Sequence, residues 1–371
     1  MSENTENNEQ VMTDIIAEVK DEEAIATVED NVSEQTVTVE TKPDEKTAKK
    51  EVKRTTIGGQ ALIEGIMMCG PKRTAIAVRK GDGSIYIEEM KQSDRVSYFE
   101  KVPFVRGCIK FYKMLITGTD ATMKSADISE QGKEDEGEGE KKESKLDSFL
   151  GRHRNVMLTI SAIFGLVISV GLFILLPRLI VDLVTKFFFD ENAVDALWVQ
   201  LVRNCIEGVL RIIIFLLYLV FVSKLPDIKR VWQYHGAEHK TIACYEAREA
   251  LTVENIMKQS RFHPRCGTAF MFIVLMISIL IYTIAGVFIG DNNMLINIGL
   301  RIVLIPVICG ISYEILRFVG RHCDRGICKI LVKPGLWLQR FTTREPDAKI
   351  CEVAIAAMQA VIPENDNDDN W

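Results

Sequence analysis

Residues 231–246 read VWQYHGAEHKTIACYE. The chain has 5 histidines, and His235 and His239 lie one helical turn apart here, with Glu238 directly before the second. At that spacing both imidazoles can reach a single metal ion. The order His-x-x-Glu-His supplies two zinc ligands and a general base in one class of metallopeptidases. Zinc lowers the pKa of a bound water to about 7, and a neighbouring carboxylate accepts its proton. Two ligands do not complete such a site. The stretch RFHPRCGT at 261–268 offers His263 and Cys266 in His-x-x-Cys spacing, with Pro264 and Gly267 shaping a turn like those of zinc knuckles. If His235, His239, His263 and Cys266 all bind, the site is four-coordinate and structural. If only three bind, water takes the fourth position and Glu238 has a task.

These residues need elements to hold them, and the flanks are apolar. Four apolar runs lie at about 157–181, 207–223, 269–290 and 294–318. Crossing a bilayer takes about 20 residues, so each run is a candidate span. Pro226 ends the second run, and Asp227 is placed to cap the helix that carries the histidines. Ile228, Trp232, His235, His239 and Ile242 then form one stripe. Basic residues crowd the connection 224–268 and flank the first and fourth runs, whereas 182–206 and 291–293 are acidic or neutral on balance. That bias puts both termini and the 224–268 connection in the cytoplasm.

The rest of the chain divides by composition. Residues 1–53 are an acidic segment without apolar periodicity, expected to be disordered, and 129–148 is a charged flexible linker. Between them, 54–128 should hold a β-hairpin turned at Gly81-Asp82-Gly83 and a membrane-associated helix. The membrane region is 149–328. A turn at Pro334-Gly335 and a helix over 347–362 with Asp347 near its start make up a cytoplasmic segment 329–362, and 363–371 is an acidic tail. The 9 scattered cysteines fit reduced thiols rather than a disulfide framework. A net charge of −6 argues against nucleic acid as a partner.

Other polar residues fall outside the main pattern. Glu246 lies two turns beyond His239, too far along the helix for the same ion, and is expected in an outer shell or in solvent. Glu314 is expected to pair with Arg317 one turn on, and Arg301 to snorkel outward or pair within the bundle. His322, Cys323 and Cys328 could form a second metal cluster, but free thiols are the plainer reading; His153 is expected in solvent. The glycine-dense stretch GGQALIEGIMMCGP either packs near the metal loop, with Gln60 or Glu64 contributing, or simply starts the fold as a strand and turn.

Five stretches taken in order, GGQALIEGIMMCGP, YHGAEHKTIACYE, HPRCGT, GISYEILRFVGR and PGLWLQRFTTREPD, resemble the bacterial YqhQ-like membrane proteins over about residues 54–362. The resemblance implies several spans and a metal-dependent enzyme. Its implied metal residues fall on His235, His239, His263 and Cys266, with Glu238 beside them, and it supplies no substrate.

The expectation is thus a mainly α-helical, polytopic protein of the bacterial inner membrane, with about four transmembrane helices and a small cytoplasmic α+β portion. Its leading activity is zinc-dependent hydrolysis of a peptide or lipid-linked substrate at the membrane surface, with Glu238 activating water. The competing reading is a non-enzymatic scaffold or regulator tied by structural zinc. A transporter is third, because the spans carry few charges and show no inverted repeat.

Overall fold

The computed structural model describes residues 53–90, 101–131, 154–188, 197–289, 294–322, 326–365 and 368–369. Residues 1–52, most of the 129–148 linker, His153 and Cys323 lie outside the described residues.

The chain is mainly helical, with one small sheet. Strands β1 (Gly58–Leu62), β2 (Gly65–Cys69), β3 (Thr74–Arg79) and β4 (Ile85–Met90) pair antiparallel in chain order. The expected hairpin is β3–β4. Gly83 takes φ 86° in its turn, and Asp82 Oδ1 accepts from the Ser84 backbone N–H at 2.8 Å. A second hairpin precedes it, turned by Ile63 and Glu64, so the glycine-dense stretch is itself two strands. Both faces of the sheet are covered. Ile66, Met68, Ala75 and Ala77 pack on one side against α5 (Pro226–Glu246) and α10 (Ala348–Gln359). Met67, Ile76 and Val78 alternate with them and pack against Ala121 and Ile128 of α1 (Val105–Glu130). Burial on both faces explains why β2 and β3 are continuous apolar runs.

Helix α1 does two jobs. Its C-terminal half lies on the sheet, and its first turns cross α8 (Met294–Arg321) where Gly107 meets Tyr313 and Gly310 meets the Phe104 carbonyl. That close crossing brings Arg106 to Glu314, at 2.7 Å from Nε and 2.5 Å from Nη2. Glu314 therefore does not take Arg317 as its main partner. A two-point guanidinium fork from a crossing helix outcompetes a single contact one turn away.

Among the described residues, three helical stretches are long and apolar enough to cross a membrane: Ile163–Phe187, Trp198–Val222 and Gly299–Arg321, with a shorter apolar one at Phe270–Gly286. The first joins α2 (Arg154–Val170) through a π-helical turn, Gly171–Leu175, to α3 (Leu176–Phe188). The Phe173 carbonyl in that turn accepts from Arg211 Nε at 3.1 Å. The second is α4 (Leu197–Val222), which starts ten residues earlier than expected from the apolar run. The shorter stretch lies in α7 (Gly267–Ile289).

These helices hold more charge than the sequence suggested. Glu207 of α4 pairs with Arg211 at 2.7 Å and Arg301 at 2.6 Å, and Asp182 of α3 pairs with Arg203 at 2.6 Å. Hydropathy averaging hides such residues, because they are scattered through stretches dominated by leucine, isoleucine and valine. Arg301 accordingly pairs within the bundle.

Two boundaries also differ. Leu225 occupies the N-cap of α5 with Pro226 in the first turn, and Asp227 sits inside that turn without a capping bond. Helix α9 (Gly326–Thr342) runs straight through Pro334-Gly335, where Val332, Gly335 and Leu338 are buried. Helix α10 is capped as expected, by Asp347 accepting from Ile350 N at 2.8 Å. In the segment expected to be a tail without structure, Asp369 is buried and pairs with Lys53 at 2.7 Å and with the Thr55 hydroxyl at 2.5 Å.

The segment between α9 and α10 is pinned on α5. Arg344 N donates to the Trp232 carbonyl at 2.8 Å, and the Arg344 carbonyl sits where a Cβ on Gly236 would be. Gly236→Ala should therefore lower stability by about 1–3 kcal/mol through overpacking, which thermal unfolding of the detergent-solubilised protein would register.

Candidate metal centre

Helix α5 carries His235, Glu238 and His239 buried on its surface, and the turn before α7 brings Cys266 to them. His235 Nδ1 lies 2.7 Å from the Thr342 carbonyl, and His239 Nδ1 lies 2.6 Å from the Arg261 carbonyl. A carbonyl can only accept, so both Nδ1 atoms carry a proton, and Nε2 is the atom of each ring left to face Cys266 or a metal ion. His235 Nε2 stands 3.2 Å from Cys266 Sγ, and the two imidazole centroids are 4.4 Å apart. Ligand atoms of His235, His239 and Cys266 all lie within 4.8 Å of one another; among the described residues no other such group occurs. His239 Nε2 and Glu238 Oε2 are buried and lack a hydrogen-bond partner.

The remaining sequence candidate stands apart. His263 is buried at the rim, its ring 5.8 Å from that of His239, and its Nε2 faces Glu246 at 3.4 Å. The His263 backbone is clamped by Gln339, whose Oε1 accepts its N–H at 2.9 Å while Nε2 donates to its carbonyl at 2.8 Å. Glu246 is buried rather than solvated. It also takes Arg265 and accepts from the Thr55 N–H at 2.9 Å. Burial raises its pKa, but His263 and Arg265 outweigh that and keep it below an ordinary carboxylate. Burial holds the His263 pKa below that of a free imidazole.

Charge inside the trio is redistributed. Burial opposes the Cys266 thiolate, yet the imidazoles of His239 and His235 pull its pKa well below that of a free thiol. Burial opposes the charged form of His235, yet Cys266 and Glu238 outweigh it and push the pKa up to about 9. Burial raises the Glu238 carboxyl, and the nearby imidazoles offset only part of this.

The glycine-dense stretch reaches the site through backbone. The Gly59 N–H donates to Glu238, and a Cβ on Gly59 would stand 3.1 Å from the Glu238 carboxyl carbon. Gln60 lines the cavity beside it. Glu64 points elsewhere, held in the left-handed region at φ 49° by Arg230 at 2.8 and 3.0 Å and by the Tyr234 hydroxyl at 2.9 Å. The second cluster does not assemble among the described residues: His322 Nδ1 bonds the Phe318 carbonyl at 2.9 Å, and Cys328 is buried against Val319 and Val332. Gly59 lies in the stretch expected near the metal loop, whereas Gln339, whose partner is 76 positions away, and the backbone carbonyls of Thr342 and Arg261 have no residue signature that a sequence reading could find. Gly236 did carry one. A glycine inside a helix costs about 1 kcal/mol against alanine and marks a close approach.

A cavity of about 640 Å³ opens onto His235, Glu238 and Cys266. Its walls are otherwise largely apolar, with Phe111, Met114 and Leu115 of α1 facing Phe270 and Met271 of α7. Three convergent polar groups at the end of an apolar cavity of this size are what a small-molecule site requires.

The chain belongs to the DUF1385 family. The family model, described as a protein of unknown function, matches residues 102–364. "Uncharacterized protein YqhQ" of Bacillus subtilis is 34% identical over 310 residues, covering 82% of this chain and 92% of that protein. The matched segment contains α5, the 261–268 turn and α9, and so every residue of the trio and its carbonyl partners. No solved structure matches.

A low thiol pKa at the end of an open cavity has a direct chemical consequence. In metal-free DUF1385 protein at about pH 6.5, a small alkylating reagent should modify Cys266 at least about tenfold faster than Cys244 or Cys351, whose pKa values burial raises. Peptide mapping reads this out, and equal rates would show that Cys266 is not held as a thiolate.

Proposed function

We propose that this DUF1385 protein is a zinc-dependent hydrolase at the cytoplasmic surface of the cell membrane, with both termini cytoplasmic. One observation carries the reading: two imidazoles fixed by Nδ1–H···O=C bonds turn their Nε2 atoms toward one thiolate, that of His239 without a partner, beside a buried carboxylate oxygen that also lacks one. Metal-ligating histidines are oriented by this kind of outer bond. An imidazole lone pair and a carboxylate oxygen buried without donors are costly unless something positive meets them. Two imidazoles and a thiolate suit zinc, and three protein ligands leave one position open.

Bound zinc would supply Lewis acidity, lowering the pKa of a water to about 7. The protein's own residues do the rest. His235, His239 and Cys266 hold the ion, with Thr342 and Arg261 fixing the rings. Glu238 is anchored by the Gly59 N–H and raised in pKa, which suits a group that takes a proton from the attacking water and passes it to the leaving group. The bond that breaks thereby gains the elements of one water. The apolar walls exclude bulk solvent. His263, bonded to Glu246, acts as a strut of the loop and not as a fourth ligand. The basic connections around α5 and after α8 support the cytoplasmic assignment.

Purified protein should contain stoichiometric zinc. Alanine at His235, His239 or Cys266 should remove it, whereas His263→Ala should retain it at reduced thermal stability. Glu238→Gln should keep both zinc and melting temperature and lose the complementation of a deletion strain that His239→Ala also loses. Zinc-free wild type sinks the proposal. A Glu238→Gln variant that complements fully returns the site to a structural role.

Zinc must displace the proton on His235, whose pKa lies near 9 in the metal-free state, while Cys266 is already ionised. Apparent affinity should therefore rise with pH by about tenfold per unit between about pH 7 and about pH 9, then level off. Competition titration against a chelator of known affinity measures the slope.

A further inference from the structure

The 640 Å³ cavity has a mouth as well as an end. Met114 and Leu115 of α1 and Met271 of α7, all lining it, are about half exposed, at 50%, 52% and 48%. Beside them Tyr112 and Ile116 of α1 are also exposed. Met271 lies in the apolar stretch Phe270–Gly286. An exposed apolar face on a helix that abuts a span is the surface of a helix lying in the membrane interface. The mouth is thus lined by exposed apolar side chains of the kind that suit contact with lipid.

A second cavity adjoins the first. It measures about 240 Å³ and shares Lys110, Tyr313 and Leu316 with it. Arg265, Arg317 and Arg321 add to Lys110 there, and no carboxylate lines it. Arg265 is committed to Glu246. Lys110, Arg317 and Arg321 come from α1 and α8, the two helices whose crossing is locked by the Arg106–Glu314 fork. A pocket lined by several cations and by no carboxylate suits an anion, and guanidinium and ammonium groups together suit phosphate.

We infer that the ligand of this site is an amphiphile with a net anionic phosphate headgroup, drawn sideways from the cytoplasmic leaflet. Its chain lies between α1 and α7, and its phosphate sits against Lys110, Arg317 and Arg321. The inference rests on the hydrolase reading in one respect: the linkage between chain and phosphate lies within reach of Glu238. It selects a lipid over a peptide, because a peptide backbone in the apolar cavity would leave its N–H and C=O groups without partners.

Photo-crosslinking of the full-length protein in micelles tests this. The probes are phosphatidic acid and phosphatidylcholine carrying the same diazirine-labelled chain. Phosphatidic acid should label peptides containing Met114–Met123 and Phe270–Met271, about fivefold more than phosphatidylcholine does. Lys110→Gln with Arg317→Gln should abolish that preference and leave the phosphatidylcholine label unchanged. Thr119→Trp, which fills the cavity from α1, should cut both labels by about tenfold, and Met271→Trp provides the same block from α7 should the first variant misfold. Glycerol phosphate, which has no chain, should displace little label. Equal labelling by the two lipids, labelling indifferent to both tryptophan variants, or full displacement by glycerol phosphate overturns the inference. Zinc content measured on the same samples decides the hydrolase reading separately: cavity labelling in a zinc-free wild type would sink the hydrolase and leave the lipid site standing, and zinc without labelling would do the reverse.

Discussion

Burying Glu238 beside His235, His239 and Cys266 is the constraint from which the sheet-bearing half of the fold follows. An ionised carboxylate and a thiolate out of water cost several kcal/mol each unless neighbours compensate. Here compensation is local and specific. The imidazoles stabilise the thiolate, and two backbone carbonyls fix the imidazoles. A single N–H from Gly59 steadies the carboxylate. Each compensating group sits on a different element: the end of α9, the 261–268 turn and strand β1. The site therefore exists only when sheet, loop and membrane helices are assembled together.

That requirement makes sense of the close contacts. Helix α5 has to approach β1 on one side and the α9–α10 connection on another, and glycines stand at both contacts. Gly59 lets strand backbone reach Glu238, and Gly236 lets the Arg344 carbonyl sit against the helix. The Glu64–Arg230–Tyr234 cluster locks the β1–β2 turn to the first turns of α5, so the strand cannot slide along the helix. Glu246, with Arg265 and His263, locks the far end. Between these two ionic clamps lies one turn of helix carrying the candidate ligands. The membrane bundle meets the same cost in the same way, with Glu207 set between Arg211 and Arg301.

Much of this was legible in residue types. The apolar runs, the β3–β4 turn and the capped α10 follow from local periodicity and turn chemistry, which need no distant partner. His235 and His239 stood out as candidates by their helical spacing, and Cys266 by the His-x-x-Cys turn, because few side chains bind metal. What failed was every feature set by another part of the chain. Whether Glu314 pairs with Arg317 or Arg106 depends on where α1 crosses α8. Whether Pro334 breaks a helix depends on the packing that covers it. His263 resembled a ligand by spacing, but its orientation is set by Gln339, some 76 positions away in the chain. The charges inside α4 were hidden because hydropathy averages over a window, whereas desolvation acts on each charge singly.

The same geometry bears on why the site has three donors rather than four. A fourth ligand would have to come from the 261–268 turn, which supplies Cys266 from its end, where α7 begins. Gln339 holds the His263 backbone at both its N–H and its carbonyl, and Glu246 holds its ring. Turning that ring inward would leave Arg265 and the Thr55 N–H on one oxygen of Glu246 and take the His263 partner from its other buried oxygen, at a cost of about 1–3 kcal/mol or more for a charged group. The side facing the cavity carries Glu238, whose second oxygen has no partner of its own. The closed face of the trio is thus walled by satisfied groups, and the open face by an unsatisfied carboxylate and an apolar cavity that leads to exposed apolar side chains. A purely structural site gains nothing from that asymmetry, whereas a site that must admit water and a substrate from one direction requires it.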